Sequence, residues 1–242
     1  MRRALAVAAV LLSAAACAAP GPRHRDLSVL HNVPTDRKVV ALTIDLGESA
    51  TRPSAEALMR WLDTHHVKAT FFITGWFIRT FPDLTRQLAA QGHEFGNHTD
   101  THPHCRRVSS SELRDQLRNV EELLRRQGLT IHEPRYFRPP FGECNQRVVD
   151  IAGELGYRTV LWSATGVDYD RRGDADRWAR SILRHVLPGG IILTHATPVS
   201  AQMVPQIVTA LQARGYAVTT LSELVDGPRR EAVTAPEDAG RN

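Results

Sequence analysis

The stretch Gly92-His93-Glu94-Phe95-Gly96-Asn97-His98-Thr99-Asp100-Thr101-His102-Pro103-His104-Cys105 decides how the rest of the chain is read. It holds four of the eleven histidines: His93, His98, His102 and His104. His98 and His102 are four residues apart, a spacing that on one helical turn puts both imidazoles on the same side. Two such imidazoles can hold a zinc-like divalent metal, with a carboxylate or water completing the shell. Taken alone, the pair reads more simply as a polar loop with solvated histidines, so its surroundings must decide.

Working outward, Glu94 to Gly96 is a short strand leading into the histidines, and Gly92 stops a helix from Pro82 to Gln91. Upstream, Val39 to Ile44 and Ala69 to Ile73 read as strands. Between them a helix from Ser54 to His65 carries Ala57, Leu58, Trp61 and Leu62 on one face, with Ser54 as its N-cap. Downstream, Ser109 and Glu112 form a capping box for a helix to Gln127, striped by Leu113, Leu117, Val120 and Leu124. Strands at Tyr136 to Arg138, Thr159 to Trp162, Ile191 to Thr194 and Ala217 to Thr219 follow. They alternate with helices from Asn145 to Leu155, Ala175 to Leu187 and Met203 to Arg214. Alternation of about seven strands with helices indicates one parallel α/β domain over residues 38–225.

In such folds sites form at the C-terminal ends of the strands. The segments there are Asp45-Leu46-Gly47-Glu48, the His98/His102 stretch, Arg138-Pro139-Pro140-Phe141-Gly142, Ser163 to Asp170, and Leu193-Thr194-His195. Chemically competent residues recur at one topological end, which scattered surface polarity would not produce. The histidine pair is therefore read as a metal pair.

The chain has 242 residues, 42% of them hydrophobic, enough for a sizeable core. Its formal net charge is +4, with Arg2 and Arg3 in the leader, and no basic stripe is interleaved with aromatics, so nucleic acid is not an expected partner. Residues 1–17 read as an export signal: a basic start, an apolar run from Ala4 to Ala16, and small residues before Cys17. Two outcomes stay open, plain secretion and a lipoprotein anchored to the membrane through a lipid on Cys17. Residues 18–37 read as a polar linker and 226–242 as a disordered tail. In an exported chain Cys105 and Cys144 are either one disulfide or two separate thiols.

The five strand-end segments together resemble the NodB-homology polysaccharide deacetylases, carbohydrate esterase family 4. The pattern Gly-His-Glu-x-Gly-Asn-His-Thr-x-Thr-His with Phe-Arg-Pro-Pro-Phe-Gly carries the resemblance, which runs from Lys38 to Leu221. It implies a distorted, incomplete (β/α) barrel and metal-assisted removal of acetyl groups from an N-acetylated or O-acetylated polysaccharide. His98 and His102 match the metal ligands, for a divalent metal expected to be zinc. Asp45 matches the catalytic base, Arg138 the arginine that orients it, and His195 the general acid. The backbone N–H of Phe141 matches the oxyanion donor, and Leu193 is expected beside the acetyl methyl. Asp168 is matched to the partner of the histidine and Tyr169 to a wall of the acetyl pocket. Glu94 is not placed as the base of a zinc-peptidase motif, because the histidine spacing is wrong.

One position departs from the family pattern. Leu46 stands where the second aspartate, the third metal ligand, is usual. Water at that position, a nearby carboxylate such as Glu48 or Asp100, or loss of the metal would each follow, and the first is preferred. With the resemblance in place, Cys105 and Cys144 lie on loops over one mouth, where a disulfide would brace the metal site. A monomeric deacetylase of cell-envelope polysaccharide is the reading preferred over a non-catalytic glycan-binding protein or a hydrolase of small amides.

Overall fold

Eight consecutive residues of β1 (Val39–Leu46) are buried, which makes this strand the axis of the fold. The computed structural model describes residues 28–131, 133, 135–166, 168 and 173–227. Side chains of β1 alternate with the strand period of two. Val40, Leu42, Ile44 and Leu46 face one apolar cluster, which they share with α1 (Arg52–Thr64) and α7 (Pro198–Ala213). Val39 and Ala41 face a second cluster with Phe72, Tyr136 and Val160. Asp45 therefore ends the strand on the second face, inside the curve of the sheet.

The other strands are β2 (Thr70–Ile73), β3 (Glu94–Asn97), β4 (Arg135–Phe137), β5 (Tyr157–Thr159), β6 (Ala164–Thr165), β7 (Ile191–His195) and β8 (Ala217–Thr219). All pair in parallel, in the order β5-β4-β3-β2-β1-β7-β6, with β8 beside the first residues of β1. Among the described residues no ladder joins β5 to β6, so the sheet is an open half-barrel, as the alternation and the resemblance implied. The remaining helices are α2 (Gly75–Thr80), α3 (Pro82–Ala90), α4 (Ser110–Arg126), α5 (Gln146–Glu154), α6 (Ala175–His185) and α8 (Leu221–Asp226).

Several local expectations are corrected. The cap of α1 is Thr51, whose hydroxyl accepts from Ser54 N–H, so Ser54 is already inside the helix. Of the strand expected over Thr159 to Trp162 only Thr159 lies in a strand, at the end of β5; β6 begins beyond the expected span at Ala164, and Trp162 lines a cavity. α7 begins five residues earlier than expected, because Pro198 fits the first turn and Pro205 is tolerated within it. α2 and α8 are each six residues, too short to show a helical period, and are fixed by the Thr74 and Thr220 caps. Glu94 accepts from the Leu221 and Ser222 amides, so its carboxylate serves the start of α8.

Part of the expected linker belongs to the fold. Leu30 is buried and bridges Val160, and Asn32 bridges Gly190, so residues 28–33 lie across the open seam between β5 and β7. Asp226, expected to open the tail, is the last residue of α8, while the export signal with Cys17, residues 228–242 and Tyr169 lie outside the described residues. No helix among the described residues is long and apolar enough to cross a membrane.

Candidate active site

Arg138 leaves the end of β4 fully buried, and one of its Nη atoms donates to Asp45 Oδ1 at 2.7 Å. The other Nη donates to the Leu161 carbonyl at 3.1 Å, and the guanidinium lies 4.1 Å over the Phe72 ring. A planar fork bridging carboxylate and carbonyl fixes both groups at once. Burial alone would raise the Asp45 pKa, but the charges of Arg138, His98 and His195 hold it below the usual carboxylate value. Asp45 is thus ionised and aimed, with Oδ2 3.5 Å from His98 Nε2.

His98 lies just past β3, and its Nδ1 is 2.7 Å from the Arg138 carbonyl. A carbonyl only accepts, so Nδ1 carries the proton and Nε2 presents its lone pair. The His102 ring is 4.9 Å from that of His98, edge to face. The expected helical turn is absent. The segment is a loop in which Thr99 and His102 adopt positive φ, 68° and 56°, and Asn97 Oδ1 accepts from Thr99 N–H to hold the bend. The loop brings the imidazoles together by a different route from the one their spacing suggested.

Burial pushes both imidazoles below the ordinary histidine value, His102 to about 4 with help from His98. Neutral imidazoles are the form that ligates a divalent metal, and in His98 the Arg138 carbonyl also fixes which nitrogen is free. The donor set therefore fits a cation held by His98 and His102, but supplies no third side-chain ligand at the usual place. Leu46 turns away into the helix-side core, 1% exposed. Asp100, a candidate substitute, is held instead by Arg79 at 2.5 Å and Asn119 at 3.2 Å. Glu48 is exposed at the cavity edge. Among the described residues no three His, Cys, Asp or Glu side chains are gathered as a ready metal cluster.

His195 ends β7 directly beside Asp45 in the strand register. Its Nδ1 is 2.9 Å from Asp168 Oδ1, and its backbone N–H donates to Asp168 Oδ2 at 2.7 Å. Asp168 is fully buried and is fixed further by Ser200 Oγ and, through its carbonyl, by Thr197 Oγ1, both at 2.7 Å. Burial lowers the His195 pKa, but the hydrogen bond and charge of Asp168, with Asp45, raise it above the ordinary value. The partnership expected for Asp168 is present. Ser200 and Thr197 were not singled out in the sequence, since a cap of α7 carries no local sign that it reaches a distant loop.

Asp45, His98, His102 and His195 line one cavity of about 800 Å³, which also takes in Phe141, Leu193, Trp162 and Trp178. The mouth is therefore richer in aromatics than the sequence suggested, because α6 brings Trp178 to it. Phe141 has φ 59°, is 56% exposed and stacks on His104 at 4.3 Å.

The description "Polysaccharide deacetylase" belongs to the family model that matches residues 32–160. Over 199 residues the chain is 34% identical to a peptidoglycan-N-acetylglucosamine deacetylase of Bacillus cereus, covering 79% of this chain and 70% of that protein. This chain belongs to the polysaccharide deacetylase family. Its fold matches a peptidoglycan N-acetylglucosamine deacetylase crystallised with 4-naphthalen-1-yl-N-oxidanyl-benzamide, with TM-score 0.76, 30% identity, and 84% and 95% of the two chains covered. It matches equally well a mutant, with restored enzymatic activity, of a carbohydrate esterase family 4 pseudoenzyme from Bacillus anthracis (TM-score 0.77, 29% identity, 84% and 73% covered).

In this polysaccharide deacetylase two features of the histidine segment stand apart from the cavity. The expected Cys105–Cys144 disulfide is not formed: both are free thiols. Cys105 is fully buried in the cluster against which Cys144 packs, and burial pushes its thiol up to about 12. The two loops are joined without it, by Arg147 Nη2 to the Cys105 carbonyl at 2.8 Å and by the His104–Glu143 contact at 3.2 Å.

His93 is buried at the start of β3, at the other end of the strand from the site. Its Nδ1 accepts from Ala69 N–H, Nε2 is without a partner among the described residues, and burial pushes its pKa from 6.5 to about 4. A depressed histidine favours the folded state above its unfolded pKa, and that stability is lost as pH falls from 6.5 towards 4. The loss should reach about 3 kcal/mol. Urea unfolding between pH 7 and pH 4 should show wild type losing this much relative to His93→Gln; parallel curves would count against it.

Proposed function

We propose that the chain hydrolyses the acetamido group of N-acetylated sugars in a cell-envelope polysaccharide of the peptidoglycan type. The convergence of an arginine-held carboxylate, Asp45, and a carboxylate-held imidazole, His195, on one cavity carries this reading. A divalent cation at His98 and His102, zinc being the expected one, would supply Lewis-acid polarisation of the acetyl oxygen and acidify a water molecule. Asp45, aimed by Arg138, takes a proton from the attacking water. The Phe141 backbone N–H would donate to the oxygen that gains charge. His195, with Asp168 fixing its Nδ1 proton, delivers a proton from the other nitrogen to the departing amine. Leu193 packs beside the acetyl methyl.

Export fits this substrate, because the relatives named above are peptidoglycan deacetylases and residues 1–17 have the composition of a leader. Release and anchoring through Cys17 are both compatible with it, and the protein is expected to act as a monomer. A second reading, glycan binding without turnover, is favoured by Leu46 and by the likeness to a pseudoenzyme. Acetate release from N-acetylglucosamine oligomers with added zinc or cobalt separates the two. Release that chelation abolishes is expected; sugar binding with no release under any metal would establish the second reading.

A further inference from the structure

The loops after β3 and β4 carry positive charge beyond the cavity rim. A recess of about 340 Å³ there is lined by Arg106, Arg107, Glu143 and Asn145. It adjoins the active-site cavity through three consecutive residues, since Phe141 and Gly142 line the cavity and Glu143 the recess. His104 forms the ridge between them, stacked on Phe141 and in contact with Glu143 Oε2 at 3.2 Å. Among the described residues neither the Arg106 nor the Arg107 guanidinium has an ion-pair or hydrogen-bond partner, and both are exposed. Glu143 already faces His104, and Arg147 lies behind the same loop on the Cys105 carbonyl. The recess therefore keeps a positive balance beside the active-site cavity.

We propose that Arg106 and Arg107 form a carboxylate-binding subsite, so that the protein takes glycan chains bearing carboxylates in preference to neutral ones. This rests on the deacetylase reading for the position of the polymer, and it narrows the substrate class. A guanidinium fork matches a planar carboxylate. Both arginines are exposed, so the preference is modest and weakens with salt.

The test uses two soluble polymers with the same N-acetylglucosamine backbone, carboxymethyl chitin and neutral glycol chitin. Kd for each is measured at low salt with the purified full chain. Wild type should bind carboxymethyl chitin roughly three- to tenfold tighter. The R106Q/R107Q double variant should bring that ratio to about one without moving the thermal midpoint. A wild-type ratio of one, or a preference that survives in the double variant, would overturn the subsite. Binding is read without turnover, so a chain that shows the preference yet releases no acetate removes the catalytic reading and leaves the subsite standing.

Discussion

Replacing Arg138 by methionine is expected to lower the unfolding free energy by about 3–5 kcal/mol and to abolish acetate release. Arg138 is the largest fully buried side chain of the described residues, and it neutralises a carboxylate that is itself only 4% exposed. Removing the guanidinium leaves Asp45 as an unpaired buried charge and strips the Leu161 carbonyl of a donor. Arg138→Lys should recover little, because a point charge cannot bridge the carboxylate and the carbonyl together.

The pH dependence of this loss has a definite sign. In the wild type the Asp45 pKa is depressed in the folded state, so its contribution is present above the unfolded value. It is lost as pH falls through the folded value. In Arg138→Met burial is no longer opposed by the arginine, so the folded pKa rises and the variant is penalised most at neutral pH. The gap between the two proteins should be widest near pH 7 and narrow below about pH 4. Urea unfolding at several pH values measures it, and a gap under about 1 kcal/mol at neutral pH would refute the uncompensated-charge account. The D45L/R138M double variant should regain most of the stability while staying inactive, which separates folding from chemistry.

What could be read from the sequence followed from position along strands. Asp45, His98, Arg138 and His195 each stand at or just past the end of a buried strand, so the rule that sites form at those ends found them without contacts. The parallel α/β order was legible from the alternation of strand and helix periods, while the incomplete barrel was implied only by the resemblance to the deacetylase family. Geometry between strands was not legible. The pairing of His98 with His102 was found through helical spacing, yet a loop with two left-handed residues produces it. Among the described residues, three of the four non-glycine residues with positive φ, namely Thr99, His102 and Phe141, belong to this site. Such conformations cost of order 1–3 kcal/mol each and leave no mark in composition. Trp178 and Ser200 sit on helices, where their types suit ordinary packing, and only the docking of α6 and α7 turns them toward the site. Residues 28–33 looked like linker because Pro and Arg dominate around them, while the single buried Leu30 carries too little hydrophobic signal to show attachment.

His195→Gln is the second large effect, an expected loss of about 10²–10⁴ in kcat on an N-acetylated sugar. Glutamine keeps the polar edge of the imidazole but cannot hand a proton to a departing amine, which is too basic to leave unprotonated. An aryl acetate needs no such help, because its phenolate leaves as the anion. The same variant should therefore lose far less activity on 4-nitrophenyl acetate than on the amide. A packing role for His195 would reduce both substrates alike, and equal losses would remove the proton-donor assignment. Asp168→Asn probes the same histidine from behind. The Asp168 bond and charge are what raise the His195 pKa against its burial. Without them the protonated imidazole disappears at lower pH, and the alkaline limb of kcat on the amide should move in that direction. The limb on the aryl ester should stay where it is, because the departing phenolate does not draw on that proton.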